Sequence, residues 1–171
     1  MATTKGAGAP EPRPPNSPAG QMEMEIAPVI LPATLDALSR LGQYVKDASE
    51  KAGLDRQAAY NLRLAVDEIA TNIIVHGYEE AGLTGDILVQ GKLNDGEITI
   101  AVEDSGTPFD PLAKKLPTEE DLARPLEERP IGGLGIYLVL KGVDKFAYER
   151  SGNRNRNIFT MKRRLPGNGG N

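Results

Sequence analysis

Three short stretches of this 171-residue chain hold groups suited to chemistry on a ligand. Glu68 and Asn72 stand four residues apart, one turn of a helix. Asn72 offers an amide oxygen that suits magnesium, a hard cation held largely through phosphate and water. Glu68, on the same face, can act as a base on a hydroxyl or water near that cation. In Asp104-Ser105-Gly106 a carboxylate stands where a strand ends and a glycine where the chain turns sharply. A partly buried carboxylate there accepts a hydrogen bond from a ligand amine. Gly132-Gly133-Leu134-Gly135 runs into an apolar helix, so backbone N–H groups and the positive end of the helix dipole meet an anion, typically phosphate. Each stretch also has an ordinary explanation: a solvated helix edge, an aspartate capping its own turn, a glycine turn ahead of a helix. The glycine segment is not a Walker loop, because the Lys-Ser/Thr ending is missing. It is not a Rossmann turn either, because it comes late in the chain after a long connection.

The elements that must position these groups follow from hydrophobic period. Leu62 to Tyr78 reads as a helix capped by Asp55 that runs to about His76 and stops at Gly77. At about 100° per residue, Leu62, Val66, Ile69 and Ile73 fall within roughly 60° of one another, a core-facing stripe with Glu68 and Asn72 along one edge. Before it, Gln21 to Ala27 alternates Met22, Met24 and Ile26 with polar residues, the pattern of a half-buried strand. A helix opens at Thr34, shows an apolar face of Leu35, Leu38, Leu41, Val45 and Ala48, and ends at Gly53. Asp86 to Leu93 and Glu97 to Glu103 form two strands around Asn94-Asp95-Gly96. Leu112 to Pro130 is charged and punctuated by proline, with a short helix at Thr118 to Ala123. A connection of this kind is a lid or a linker. A helix from about Gly135 to Lys141 and a terminal hairpin, Lys145 to Arg150 and Asn157 to Arg163, complete the order. Such an order predicts an α/β (α+β) two-layer sandwich, with a mostly antiparallel mixed sheet covered on one face by helices.

Composition bounds the class. The predicted organisation is a disordered tail over residues 1–20, rich in Ala, Gly and Pro, one domain over 21–165 and a flexible end over 166–171. No apolar run has the length of a membrane span. The first residues lack the form of a secretory signal and cysteine is absent, so a cytoplasmic location is expected. The net charge of −4 argues against a general nucleic-acid binder. It is uneven: from Lys141 onward eight basic residues face two acidic ones, giving that segment +6 and the remainder −10.

Together and in this order, the three stretches resemble the GHKL ATPases, the superfamily of gyrase, heat-shock chaperone, histidine-kinase and mismatch-repair ATPases. Glu68-Ile69-Ala70-Thr71-Asn72 is similar to its helix motif, Asp104-Ser105-Gly106-Thr107-Pro108 to its adenine loop, and Gly132-Gly133-Leu134-Gly135-Ile136 to its glycine lid. DEIATNIIVHGY and EDSGTPFDP look closest to the small bacterial anti-sigma-factor serine kinases of the RsbW/SpoIIAB type.

The resemblance implies a Bergerat-type fold that takes ATP and Mg2+, with Asn72 on the metal and Glu68 activating a partner's serine. Asp104 would take the adenine amine, Gly106 would give the base close backbone approach, Pro108 would add to the nucleotide contacts, and Gly132, Gly133, Leu134 and Gly135 would wrap the phosphates. Thr160 completes the expected nucleotide contacts. The implied partners are a STAS-type anti-sigma antagonist, a sigma factor and a second copy of the chain, with no direct nucleic acid and no membrane. His76 is expected to shape the site and not to carry phosphate. The family's last strand often opens with a Gly-Thr pair, where this chain reads Asn155-Arg156-Asn157. Asn157 is then the expected substitute for the hydroxyl, and Arg154 or Arg156 the residue reaching phosphate. That departure leaves a non-catalytic, ATP-gated binding module as the alternative to a kinase.

Overall fold

The computed structural model describes residues 22–113, 118–128 and 134–164. The expected tail over 1–20, the end over 166–171, and Gly132 and Gly133 lie outside the described residues. Among the described residues five strands form one sheet: β1 (Met24–Pro32), β2 (Asp86–Asn94), β3 (Glu97–Asp104), β4 (Lys145–Ser151) and β5 (Arg154–Lys162). Their order is β1-β2-β3-β5-β4 and every pairing is antiparallel. The expected sandwich is therefore present, with no parallel pair among the described strands. Gly96 and Gly152 close the two hairpins in the left-handed region, at φ 83° and 60°.

Among the described residues four α-helices accompany the sheet: α1 (Leu38–Ala52), α2 (Arg56–Asn72), α3 (Glu119–Ala123) and α4 (Leu134–Gly142). Asp55 caps α2 by accepting from the Ala58 N–H at 2.8 Å, and Gly53 at φ 67° ends α1. The α2 stripe behaves as its spacing requires: Leu62, Val66, Ile69 and Ile73 are all buried. They join Leu41 and Val45 of α1, Ile136 and Val139 of α4, and the inward residues Val89, Ile98, Ile100, Val102 and Phe159 in one core. Gly142 of α4 packs against Asn61 and Gly135 against Glu68, so α4 crosses α2 in the opposite direction. Thr118 caps α3 with a reciprocal pair of bonds to Asp121, the local signal that ordered this piece of the connection.

Three boundaries differ from expectation. β1 runs on to Pro32, and of the three alternating apolar residues only Ile26 is buried, while Met22 and Met24 are 83% and 49% exposed. The register shifts between Ile26 and Val29, around Pro28, whose missing N–H suits a bulge on an edge strand. The helix does not stop at Gly77: after Asn72 it widens into a π-helical segment, Ile73–Glu79. β5 begins at Arg154, three residues before the expected start, because Asn155 pairs with Asp104. No helix among the described residues is long and apolar enough to cross a membrane.

Leu62→Ala empties a fully buried position on α2 and should lower unfolding stability by about 3 kcal/mol. Tyr60→Ala, on the exposed side of the same helix, should change it by about 0.5 kcal/mol or less. Urea denaturation of the two variants tests this contrast.

Candidate functional site

Asp104 is the last residue of β3 and points to the helix-covered face, in line with Val102, Ile100 and Ile98. It is 4% exposed. Its Oδ1 accepts from the Gly106 N–H at 2.9 Å and from Asn155 Nδ2 at 3.0 Å. Its Oδ2 is buried with no protein partner. Asn155, directly across the β3–β5 ladder, also donates to the Gly106 carbonyl at 3.1 Å. The Asn155 Oδ1 takes Tyr148 Oη at 2.8 Å and Arg150 Nη1 at 2.7 Å. Burial pushes the Asp104 carboxyl above its ordinary range, against the Asn155 and Gly106 hydrogen bonds and the charge of Arg150. One oxygen is thus saturated and the other is a buried acceptor in need of a donor, which fits an amine of a bound ligand.

The loop after Asp104 is fastened to the π-helical segment. At the end of that segment the Glu80 N–H bonds to the Val75 carbonyl, and just beyond it the Leu83 N–H bonds to the Tyr78 carbonyl, five residues back in each case. The Gly77 carbonyl is instead taken by the Thr107 N–H at 3.0 Å. Tyr78 Oη accepts from the Ser105 N–H at 2.9 Å and donates to the Asp86 carbonyl at 3.3 Å. Burial raises the Tyr78 phenol, which keeps it protonated for that second bond. A Cβ on Gly106 would lie 2.8 Å from the Gly77 carbonyl oxygen and 2.9 Å from Tyr78 Cε2. Gly106 is therefore required by its contact with the helix end, a reason the motif alone did not supply. Pro108 is exposed on the same loop. His76 is exposed, with Nδ1 2.7 Å from Glu80 Oε2 and its ring tilted against Phe109.

Glu68 and Asn72 are half-buried on α2. The Glu68 carboxylate lies against Gly135 in the first turn of α4, where any Cβ would collide with it. Leu134 begins that helix. The fold thus joins Glu68 to Gly135 directly, and Asn72 to the Asp104 loop through the π-helical segment.

Other expected residues are placed elsewhere. Thr160 pairs with Thr99 and Lys145 on the sheet face away from the helices, so strand alternation keeps it out of this cluster. Arg154 and Arg156 lie on that same far face, 3.6 and 3.2 Å from the Glu103 carboxylate. Asn157 does face inward, buried with Oδ1 unpartnered, but Asn155 is the residue that touches Asp104. Tyr78, Tyr148, Arg150 and Asn155 were not singled out from the sequence as site residues. Two asparagines at alternate positions leading into Phe159, on the core face of a strand, were the signal that could have pointed to them.

A family model described as histidine kinase-like ATPase domain matches residues 31–163. The chain is 28% identical over 111 residues to the serine-protein kinase RsbW of Bacillus thuringiensis strain Al Hakam, covering 64% of this chain and 68% of that protein. The match to the protein of the same name in Bacillus cereus strain 03BB102 has the same values. Among solved structures, the SiaB–SiaC complex from Pseudomonas aeruginosa aligns with a TM-score of 0.57 at 14% identity, over 80% of this chain and 89% of that one. The crystal structure of the RsbU and RsbW domains of a Mycobacterium tuberculosis protein aligns with a TM-score of 0.53 at 17% identity. There the alignment covers 80% of this chain and about a third of that one, 32%. Both structures share the fold.

Two substitutions test the cluster. Gly106→Ala should cost about 2 kcal/mol, since backbone on both sides of the contact must shift. Asp104→Asn should raise stability at neutral pH, because it removes a desolvated charge. A carboxyl whose folded pKa lies above its unfolded value weakens the fold as pH rises through that interval and not below it. The gain should therefore fade as pH falls below the ordinary carboxylate range, as thermal melts across pH can measure.

Proposed function

The chain belongs to the histidine kinase-like ATPase family, and from that membership we propose that it is an ATP-dependent protein-serine kinase of the RsbW-like, anti-sigma type. The observation that carries the reading is Glu68 lying against Gly135. In this reading Glu68 would be the proton acceptor near the first turn of α4, where a phosphate chain would end. Asp104, with its open acceptor, would take the adenine amine. Asn72 would hold Mg2+ together with phosphate oxygens and water, and the ion would neutralise charge on the transferred group. Glu68 would accept the proton from a serine hydroxyl as that oxygen bonds to the γ-phosphorus. The bond to the β-phosphate oxygen breaks and ADP leaves.

The RsbW proteins of the two Bacillus strains are named serine-protein kinases, which supports a protein serine as acceptor. The substrate proposed here is a STAS-type anti-sigma antagonist, whose phosphorylation would free this chain to hold a sigma factor. A homodimer belongs to the same proposal. A second reading, an ATP-gated module without phosphotransfer, is favoured by one observation: asparagines occupy the inward positions of β5 beside Asp104.

Labelled ATP, the purified chain and the antagonist encoded nearby should give a labelled serine. Glu68→Ala should reduce that label about a hundredfold or more while ATP binding persists. No label from a wild-type chain with bound nucleotide would reject the kinase in favour of the gated module.

A further inference from the structure

Arg150 comes from the edge strand β4, and its side chain stays open to solvent while Nη1 donates to Asn155 Oδ1 at 2.7 Å. A guanidinium has donors and no acceptor, so the amide of Asn155 must turn its oxygen toward Arg150. Tyr148 Oη adds a second donor to that oxygen. The NH2 group of Asn155, 2% exposed, then has one orientation, with Asp104 Oδ1 and the Gly106 carbonyl as its acceptors. With the Gly106 N–H on the same Oδ1, Oδ2 is the oxygen left to offer. Were the amide reversed, its oxygen would meet Asp104 Oδ1, and the contact would be relieved by a proton on Asp104.

We propose that Arg150 is a positioning residue for the nucleobase: through Asn155 it fixes which oxygen of Asp104 is presented, keeps that oxygen an acceptor, and so selects a 6-amino purine over a 6-oxo purine. The inference rests on the nucleotide-binding reading above. A 6-amino group donates to a carboxylate, whereas a 6-oxo group brings a second acceptor against it. A site built around one hydrogen-bonding polarity rejects the opposite one strongly. Arg150 is the cation acting on Asp104. Around it, Tyr78 and Tyr148 are phenols bonded to the loop and to Asn155, the Asp86 carboxylate acts on Tyr78, and His76 faces Glu80. Glu103 lies on the far face with Arg154 and Arg156. The charge of Arg150 opposes the effect of burial on Asp104, so its loss should let the carboxyl hold its proton to higher pH.

Equilibrium titration of the full chain with ATP and with inosine triphosphate, from mildly acidic to mildly alkaline pH, tests the proposal. The wild type should prefer ATP and lose it in acid. Arg150→Met should weaken ATP about tenfold, the scale of one charge-assisted hydrogen bond, while inosine triphosphate is unchanged or improved. Its acid limb should move to higher pH, and Arg150→Lys should restore the limb toward the wild-type position. Tyr148→Phe removes a neutral donor from the same oxygen, so it should weaken ATP less and leave the limb in place. Equal losses of both nucleotides in Arg150→Met, with an unmoved limb, would overturn the inference and leave ATP binding standing. A wild-type chain that binds neither nucleotide would overturn that reading and this inference together.

Discussion

A carboxylate held out of water, with one oxygen saturated and the other left open, is the constraint on which this structure depends. Burying Asp104 is costly unless donors are supplied, and no single neighbour supplies them. Gly106 and Asn155 hold one oxygen. Asn155 can do so only because Tyr148 and Arg150 occupy its own oxygen. That chain of requirements reaches the topology. β5 must pair with β3 to its last residue, and β4 must lie beside β5 with Tyr148 and Arg150 on the inner face. The order β3-β5-β4 at one side of the sheet meets these demands.

The other half of the site depends on how α2 ends. Glu68 and Asn72 ride on a regular helix whose stripe is anchored in the core. The chain then widens, and the Gly77 carbonyl and Tyr78 hydroxyl both reach the loop that follows Asp104. Gly106 allows the approach, since a Cβ there would crowd the Gly77 carbonyl and the Tyr78 ring, whereas one on Gly77 would sit at ordinary contact distance from the loop. The two ends of the candidate site are therefore linked through one packed contact, and each is placed relative to the other by backbone.

Much of this was legible in the sequence. The period of α2, the hairpins at Gly96 and Gly152, the capped turn at Thr118 and the order of elements all follow from local rules that the tertiary structure does not override. Glu68 and Asn72 on one helix face, and Asp104 at a strand end, were readable from residue type and spacing; the contact of Glu68 with Gly135 was not. What was not readable depended on partners distant in sequence. The start of β5 is set by pairing with Asp104, fifty-one residues away from Asn155, and an asparagine pair carries little strand propensity of its own. The face of Thr160 is unreadable for the same reason, because it depends on the strand's register. Gly77 looked like a helix stop, and only the contact with Gly106 and Thr107 shows why the chain passes through it.

The bulge in β1 has a bearing on behaviour in a crowded solution. A sheet of this kind exposes the unpaired backbone of its outermost strands, and a regular edge invites another strand to add to it. β1 breaks its own register between Ile26 and Val29, and Pro28 withdraws an N–H from that stretch. A strand arriving from another molecule would find the spacing of donors and acceptors interrupted halfway along. The irregularity that spoiled the simple alternation of Met22, Met24 and Ile26 thus acts as a guard against fibre-like growth from this edge.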